Sequence, residues 1–334
     1  MRSVLIRGEG VAANCCAQLL GASGFPVAIE RTGRPKLPAL MLGETTQALF
    51  RDVFGRAGLF DGLPRIERRV VAWGPSSKPI ALPHSAIVVS EKVLLERLQV
   101  KSTPDHAKES VASDWTILAA GSLPPSSAEH HFGSRVASAM AVNLKTGSDA
   151  ASCCVESLEN GWLFLIPTGS ESAWLLSVGG APEVLLASSR LVADQVGTFT
   201  GAAARFPAFP RIAWPLCGPG WLACGTAALA FDPLCGEGTG HAIREAILAS
   251  AAVRAVAAGA EKEAVLAHYR ARLLAGFKRH LEACREFYET GGSGWWWNAE
   301  LESVRQGIEW CGLELGGQPQ FQFQLRGFEL QPVE

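Results

Sequence analysis

The chain is predicted to be an α/β protein in which a parallel, nucleotide-type sheet is interrupted by an inserted antiparallel sheet. Three observations predict this. A strand, a glycine turn and a helix open the chain in "VLIRGEGVAANCCAQLL". Short strands separated by turn residues fill the middle, in "VASAMAVNLK", "ASCCVESL", "GWLFLIP" and "AWLLSVGG". A strand, a glycine-rich loop and a long helix return in "GWLACGTAALAFDPLCGEGTGHAIREAILASAAVRAVAAG". Strands followed by helices at both ends and alternating strands between them give the bracketed arrangement.

Each element has a local reason. Ser3 to Ile6 is a short buried strand, and Val11 to Leu20 a helix closed by Gly21 and Gly24. Val27 to Ile29 is a second buried strand ending at Glu30, which completes a β-α-β unit. In "LGETTQALFRDVFGRAGLF" a hydroxyl residue stands before the helical spacing of Leu49, Phe50, Val53 and Phe54, where it can cap the helix. "HSAIVVSEKVLLERL" is a strand and an amphipathic helix, and "DWTILAAGS" a strand entering a glycine turn. Val184 to Phe206 has a helical texture, and "AVLAHYRARLLAGFKRHLEACREFY" extends the C-terminal helical region. No internal repeat or low-complexity linker is present.

Bulk properties exclude several classes. The 334 residues are 48% hydrophobic and 19% charged, with a net charge of −2, a globular composition. Basic residues are scattered, so no nucleic-acid partner is expected. Nine cysteines, with adjacent pairs at Cys15-Cys16 and Cys153-Cys154 and no C-x-x-C, read as reduced thiols of a cytoplasmic protein. The N-terminal apolar stretch is broken by Gly8, Glu9 and Gly10, too early for a signal peptide. The Ala246 to Ala260 run contains Arg254 and fits a buried helix better than a membrane span of about 20 apolar residues. No His, Cys, Asp or Glu group has metal-ligand spacing, so no metal is expected. No Gly-x-Ser-x-Gly nucleophile turn is present.

The opening turn carries the first functional signal. In Gly8-x-Gly10-x-x-Ala13 the first glycine allows a tight turn and the second lets the backbone approach a pyrophosphate. The small Ala13 lets the helix pack close to the sheet. The helix start offers free N–H groups and a positive dipole end. Glu30 stands where an acid accepts from ribose hydroxyls, followed by Arg31. The turn and its acid therefore point to a dinucleotide.

The far end of the chain narrows the class. Gly225-Thr226-Ala227-Ala228, then Asp232-Pro233, then Gly236-Glu237-Gly238 opening a long helix resembles the second signature of FAD-dependent aromatic hydroxylases, geranylgeranyl reductases and tryptophan-halogenase-like proteins. "GETTQALF", "HSAIVVSEKVLLERL", "WTILAAGS" and "GWLFLIP" resemble further segments of that superfamily, out to about Tyr288. The resemblance implies a Rossmann-like FAD-binding domain with an inserted antiparallel β-sheet substrate domain. It implies FAD held by Gly8, Gly10, Ala13, Glu30, Arg31, Gly225, Thr226, Asp232, Pro233, Gly236 and Gly238. The domains expected are 1–72, 84–122 and 210–290 for FAD, 73–83 and 123–209 for substrate, and 291–334 as an extension packing on the substrate side. Against the family, the segment between Gln99 and Trp115 is short, which trims the usual second domain.

The implied activity is oxidoreduction, most simply hydroxylation of an electron-rich aromatic substrate through a flavin hydroperoxide. Alternatives on the same fold are oxygenation of a Trp side chain in a partner protein, during quinone-cofactor maturation, and isoprenoid-type reduction. A flavin-free binding protein is a further alternative. No second Gly-x-Gly-x-x-Gly unit is present for NAD(P)H, so electrons would come from transient NAD(P)H docking or a flavin reductase. Three departures matter. Thr226 replaces the family's Asp. Ser90 and Glu91 stand where hydroxylases carry Arg. Arg65 falls near the place of the halogenase Lys, and Lys78 lies beyond Trp73, which disfavours halogenation. Glu237 and His84 are the candidate proton-transfer groups, against plainer roles at a helix start and on the surface. His241 reads as packing. Trp295, Trp296 and Trp297 cannot all face inward, and read either as a core edge or as an aromatic wall or docking patch.

Overall fold

The computed structural model describes residues 3–75, 78–98, 113–317 and 321–333. Most of the short segment between Gln99 and Trp115 lies outside them. In chain order the first elements are β1 (Val4–Arg7), α1 (Val11–Ala22), β2 (Val27–Glu30), β3 (Leu40–Gly43), α2 (Glu44–Phe54), β4 (Arg65–Ala72), β5 (Ile80–Val89), α3 (Glu91–Leu98) and β6 (Trp115–Leu118). Then come β7 (Ala128–His131), β8 (Val136–Leu144), β9 (Ser152–Leu158), β10 (Gly161–Pro167), β11 (Ser172–Val178), α4 (Pro182–Ser188), β12 (Val196–Phe199), β13 (Ala204–Pro207) and β14 (Arg211–Trp214). The last are β15 (Cys217–Gly218), β16 (Trp221–Ala223), α5 (Gly225–Ala228), β17 (Leu229–Ala230), α6 (Gly238–Ala257), α7 (Lys262–Gly291), α8 (Trp295–Gly316), β18 (Phe323–Arg326) and β19 (Glu329–Pro332). A 3-10 turn spans Pro233–Cys235.

One sheet has the order β15-β16-β6-β1-β2, with β16, β6, β1 and β2 mutually parallel. The first and last parts of the chain therefore share this sheet. Its central strand β6 is buried on both faces, as Ile117 and Leu118 show. Helices α1 and α6 pack together through small or short residues, with Cys16 Sγ 3.7 Å from the Ala246 carbonyl. The Tyr269 hydroxyl on α7 donates to the Ala223 carbonyl at 2.6 Å.

The second sheet has nine strands in the order β12-β8-β11-β10-β9-β4-β5-β3, with β13 also on β8. Its pairs are antiparallel except β4 with β9, which run parallel from Arg68 opposite Ser152. Here the structure departs from the sequence expectation. β3, β4 and the strand in "HSAIVV" join this large sheet, not the nucleotide-type sheet. The reason is physical. Ala86 to Val89 form a fully buried apolar run, and such a run looks the same in a parallel and an antiparallel sheet. The Val184 to Phe206 stretch also differs: it yields the short α4 and then β12 and β13. The Gly197 and Gly201 interruptions and the β-branched Val196 and Thr198 favour strand over helix.

The C-terminal segment packs on α7 and on the large sheet. Trp297 is fully buried and donates to the Leu158 carbonyl at 2.9 Å. Trp296 is half-buried beside Gly179, and Trp295 is 82% exposed. One helix thus presents three consecutive rings to core, edge and solvent, as the roughly 100° step of a helix requires.

Candidate functional site

The first turn is built around two glycines with different needs. Gly8 has φ +131°, and its N–H donates to the Glu30 carbonyl at 2.8 Å. Gly10 begins α1 from extended backbone, and a Cβ there would lie 2.6 Å from Arg34 Nη2. Among the described residues no side chain caps α1, and its first turn holds no acid. Ala13 is buried against the sheet. Asn14 holds the turn by donating to the Gly10 carbonyl at 2.9 Å.

Charged residues surround this turn. Glu30 accepts from Arg7 Nε at 2.8 Å, with both side chains about half exposed. Such a surface pair is weak, so Glu30 can exchange Arg7 for a hydroxyl. Arg31 is exposed. Arg34 makes a two-pronged ion pair with Glu91, which also accepts from the Leu37 N–H at 2.9 Å. Glu91 is buried, so the acid that replaces the expected Arg is neutralised by Arg34 from a segment 57 residues away. Lys36 pairs with Glu9 at 3.2 Å.

The second glycine loop meets the first. Gly225 has φ +55°, and a Cβ there would lie 2.8 Å from Ala12 Cβ and 3.2 Å from the Ala119 carbonyl. The start of α5, the start of α1 and the tail of β6 therefore converge where only glycine fits. Thr226 is exposed at this junction, and its hydroxyl makes only a long 3.4 Å contact to the Ala119 carbonyl. Behind this junction, the Gly225 N–H donates to Glu245 Oε2 at 2.6 Å. Burial holds the Glu245 carboxyl up at about 8.

The α6 start lies on the same loop. Gly236 has φ +65°, and Glu237 precedes α6 without a capping bond. Glu237 is exposed and 3.6 Å from Arg244, so neither a capping role nor a buried base is formed. A Cβ on Gly240 would meet Thr46 Oγ1 at 2.8 Å, which brings the "GETTQALF" segment against this helix start. Arg69 Nη2 lies 3.9 Å from where a Gly236 Cβ would stand and 3.4 Å from His84 Nε2. His84 is therefore beside the loop. Burial first, then the Arg69 charge, lowers its pKa and favours the neutral imidazole. His241 stacks on Phe231 with centroids 4.0 Å apart, and burial pulls it down to about 4.

The sequence places Asp232 among the cofactor residues, and in the structure its carboxylate is engaged inside the protein. It accepts from Leu234 N–H at 2.8 Å, Arg135 Nε at 2.7 Å and the Tyr288 hydroxyl at 2.9 Å. Arg135 also pairs with buried Glu300. Asp232 and Pro233 shape the loop, while the neighbouring glycines are what open it. Sequence spacing shows no metal-ligand set, and the fold brings Cys235, His280 and Cys284 together with donor atoms within 4.8 Å of one another. His280 and Cys284 are an i,i+4 pair on one helix face, a signal that has no meaning until Cys235 arrives.

Arg34, Asn14, Arg69 and Glu245 were not singled out from sequence. Apart from Asn14, each acts through a partner far along the chain. A separate groove of about 780 Å³ is lined by Lys78, Glu156, Glu159 and Gly291 to Gly294, and contains none of the glycine-turn residues.

No protein-family profile and no curated protein sequence matches the chain. Solved structures do. The fold is shared with solved flavin-dependent enzymes. The flavin-dependent halogenase CmlS superposes with TM-score 0.77 at 17% identity, over 96% of this chain and 73% of that one. The peptidyl tryptophan dihydroxylase QhpG, essential for tryptophylquinone cofactor biogenesis, superposes with TM-score 0.72 at 16% identity, over 99% and 86%. A point variant of Klebsiella pneumoniae HpxO, complexed with FAD, gives TM-score 0.60 at 13% identity, over 94% of each chain.

The residues present fit an FAD. The Gly8–Gly10 turn, the α1 start and Gly225 converge, with exposed Glu30 and Thr226 beside them. No helix among the described residues is long and apolar enough to cross a membrane.

Proposed function

We propose that this chain is an FAD-dependent oxidoreductase of the monooxygenase type, acting on an electron-rich aromatic substrate. The observation that carries the reading is the contact of Gly225 with Ala12, which joins the two glycine turns into one cradle. The uncapped α1 start, with Arg34 beside it, would take the pyrophosphate. Glu30 would accept from a ribose hydroxyl. Thr226 and the α6 start would take the flavin end, where a helix dipole favours anionic character. Bound FAD would supply the activation of oxygen.

His84 and Arg69 flank the Gly236 loop. Neutral His84 would receive the proton of a phenol or indole as the ring becomes more nucleophilic. Burial, and after it the Arg69 charge, favours that neutral imidazole, and the Arg69 contact would orient it. Electrons would come from transient NAD(P)H docking or a flavin reductase. Nine free thiols suit a reducing, cytoplasmic setting.

The test is the visible spectrum of the pure protein with and without added FAD, followed by oxygen uptake by the reduced complex. Flavin binding with uptake, and a product carrying one added oxygen atom, supports the proposal. Flavin binding without oxygen uptake turns the reading to a double-bond reductase, and no flavin binding turns it to a flavin-free binding protein. Chloride should yield no chlorinated indole, since Arg65 is exposed on β4 and does not form a chloramine as Lys does. A chlorinated product lost on Lys78→Ala overturns that exclusion.

A second reading is favoured by one observation. The likeness to the peptidyl tryptophan dihydroxylase spans 99% of this chain. On that reading the substrate is a Trp side chain of a partner protein. A Trp-containing polypeptide oxygenated in preference to free indoles would support it.

A further inference from the structure

We propose that Cys235, His280 and Cys284 form a binding site for a thiophilic divalent cation of the zinc type. The inference is independent of the flavin reading. The spacing of the donor atoms is its first support. Cys235 Sγ and Cys284 Sγ are 3.8 Å apart, and Cys284 Sγ is 3.3 Å from His280 Nε2. A tetrahedral zinc with Zn–S near 2.3 Å and Zn–N near 2.0–2.1 Å needs sulfurs about 3.8 Å apart and sulfur and nitrogen about 3.6 Å apart. The Cys235–Cys284 separation already matches, the Cys284–His280 separation needs a shift of only a few tenths of an ångström, and all three donor atoms lie within 4.8 Å of one another. A disulfide would need the sulfurs near about 2.05 Å, a far larger movement.

The imidazole is in the right form. His280 Nε2 accepts the Asp232 N–H at 2.9 Å, so Nε2 carries the lone pair and Nδ1 the proton. The same nitrogen lies beside the Cys284 sulfur. A cation would take over this lone pair from the Asp232 N–H.

The electrostatics are permissive. Two thiolates and a neutral imidazole around a divalent ion bury no net charge. The adjacent Arg135 is outweighed by the carboxylates of Asp232 and Glu300, leaving one net negative charge beside the site. His280 and Cys284 are buried, while Cys235 is partly open to solvent. That opening gives an entry path and room for water as fourth ligand.

The consequence is local. Cys235 directly precedes Gly236, so the cation would tie the Asp232–Gly238 loop to α7 and fix the approach to α6.

The experiment uses the full-length chain, reduced with a phosphine, freed of metal with a chelator, and titrated with Co²⁺ alone. The expected result is one Co²⁺ per chain with tetrahedral absorption in the red, beyond the flavin bands, bleached by Zn²⁺. Cys235→Ser, at the partly open position, and His280→Gln should each weaken Co²⁺ binding roughly tenfold or more, because each removes one of three protein ligands. Circular dichroism confirms that the variants are folded. Absence of the tetrahedral band in folded wild-type protein overturns the proposal. A band retained in Cys235→Ser overturns it too, since other cysteines would then be the ligands. Peptide mapping that finds Cys235 and Cys284 joined in the unreduced protein would overturn it as well, assigning the pair to redox chemistry instead.

Discussion

Glu245 makes the pH dependence of stability a direct reading of the second glycine loop. Its carboxyl is 4% exposed, gives one oxygen to the Gly225 N–H and leaves Oε1 without a partner among the described residues. Burial, the largest cause, raises its pKa from 4.5 to about 8, against the lowering effect of the Gly225 bond. The sign follows from proton counting. Below pH 4.5 the carboxyl is protonated in both folded and unfolded chains, and its contribution is complete. As pH rises toward about 8 the unfolded chain releases a proton that the folded chain keeps, so stability falls. Above that value the folded carboxyl ionises as well and the loss stops. At about 1.4 kcal/mol per unit of pKa, the loss over the window is at most about 5 kcal/mol. Glu245→Gln keeps an acceptor for the Gly225 N–H and cannot ionise. Its stability should therefore lack this fall, and the variant should gain on wild type by several kcal/mol, on the order of that upper bound, between the acid and alkaline ends. Urea unfolding followed by tryptophan fluorescence across the window measures it. Two parallel stability curves would show that Glu245 does not titrate against burial, and would remove the reasoning.

Three further outcomes are expected. Gly10→Val places a branched side chain against Arg34 at the α1 start, whose flexible end can yield, so the protein should fold but elute from gel filtration without FAD; a wild-type flavin ratio refutes this. Thr226→Asp adds a charged acceptor at an exposed position, so FAD titration of apoprotein should show binding tighter by up to about tenfold, and equal or weaker binding refutes the assignment. Arg135→Leu leaves the buried Asp232 and Glu300 carboxylates without their cation and should cost about 3–5 kcal/mol in urea unfolding. An unchanged midpoint would show that this network does not support the loop.

What could be read from the sequence depended on how far apart the interacting residues lie. The Gly8 turn, α1, β2 and Glu30 are legible because a tight turn, a helix start and a parallel partner strand impose their demands within one β-α-β unit. The α6 start is legible for the same reason, through Gly236 and Gly238. The large sheet was partly legible: alternation and turn residues mark its middle strands, but the buried run Ala86 to Val89 carries no sign of its partner's direction.

Side-chain pairing across long separations was not legible at all, and this changes how the departures from the family pattern are understood. Glu91 alone reads as a charge hostile to phosphate. With Arg34 and the Leu37 N–H upon it, it is a neutralised anchor that holds Arg34 over Gly10. Asp232 alone reads as a cofactor ligand. With Arg135, Tyr288 and the Leu234 N–H upon it, it is the internal pin of the loop. In each case the sequence locates the acid, but its charge is already committed to a partner that spacing does not reveal. The residues left free for a ligand are therefore those whose partners are weak or local: Glu30 on an exposed ion pair, Thr226 on a long hydrogen bond, and the uncapped starts of α1 and α6. A polar side chain marks a binding position only when the fold has left it available, and by that criterion Glu30 and Thr226, not Glu91 and Asp232, are where the affinity for FAD should be sought.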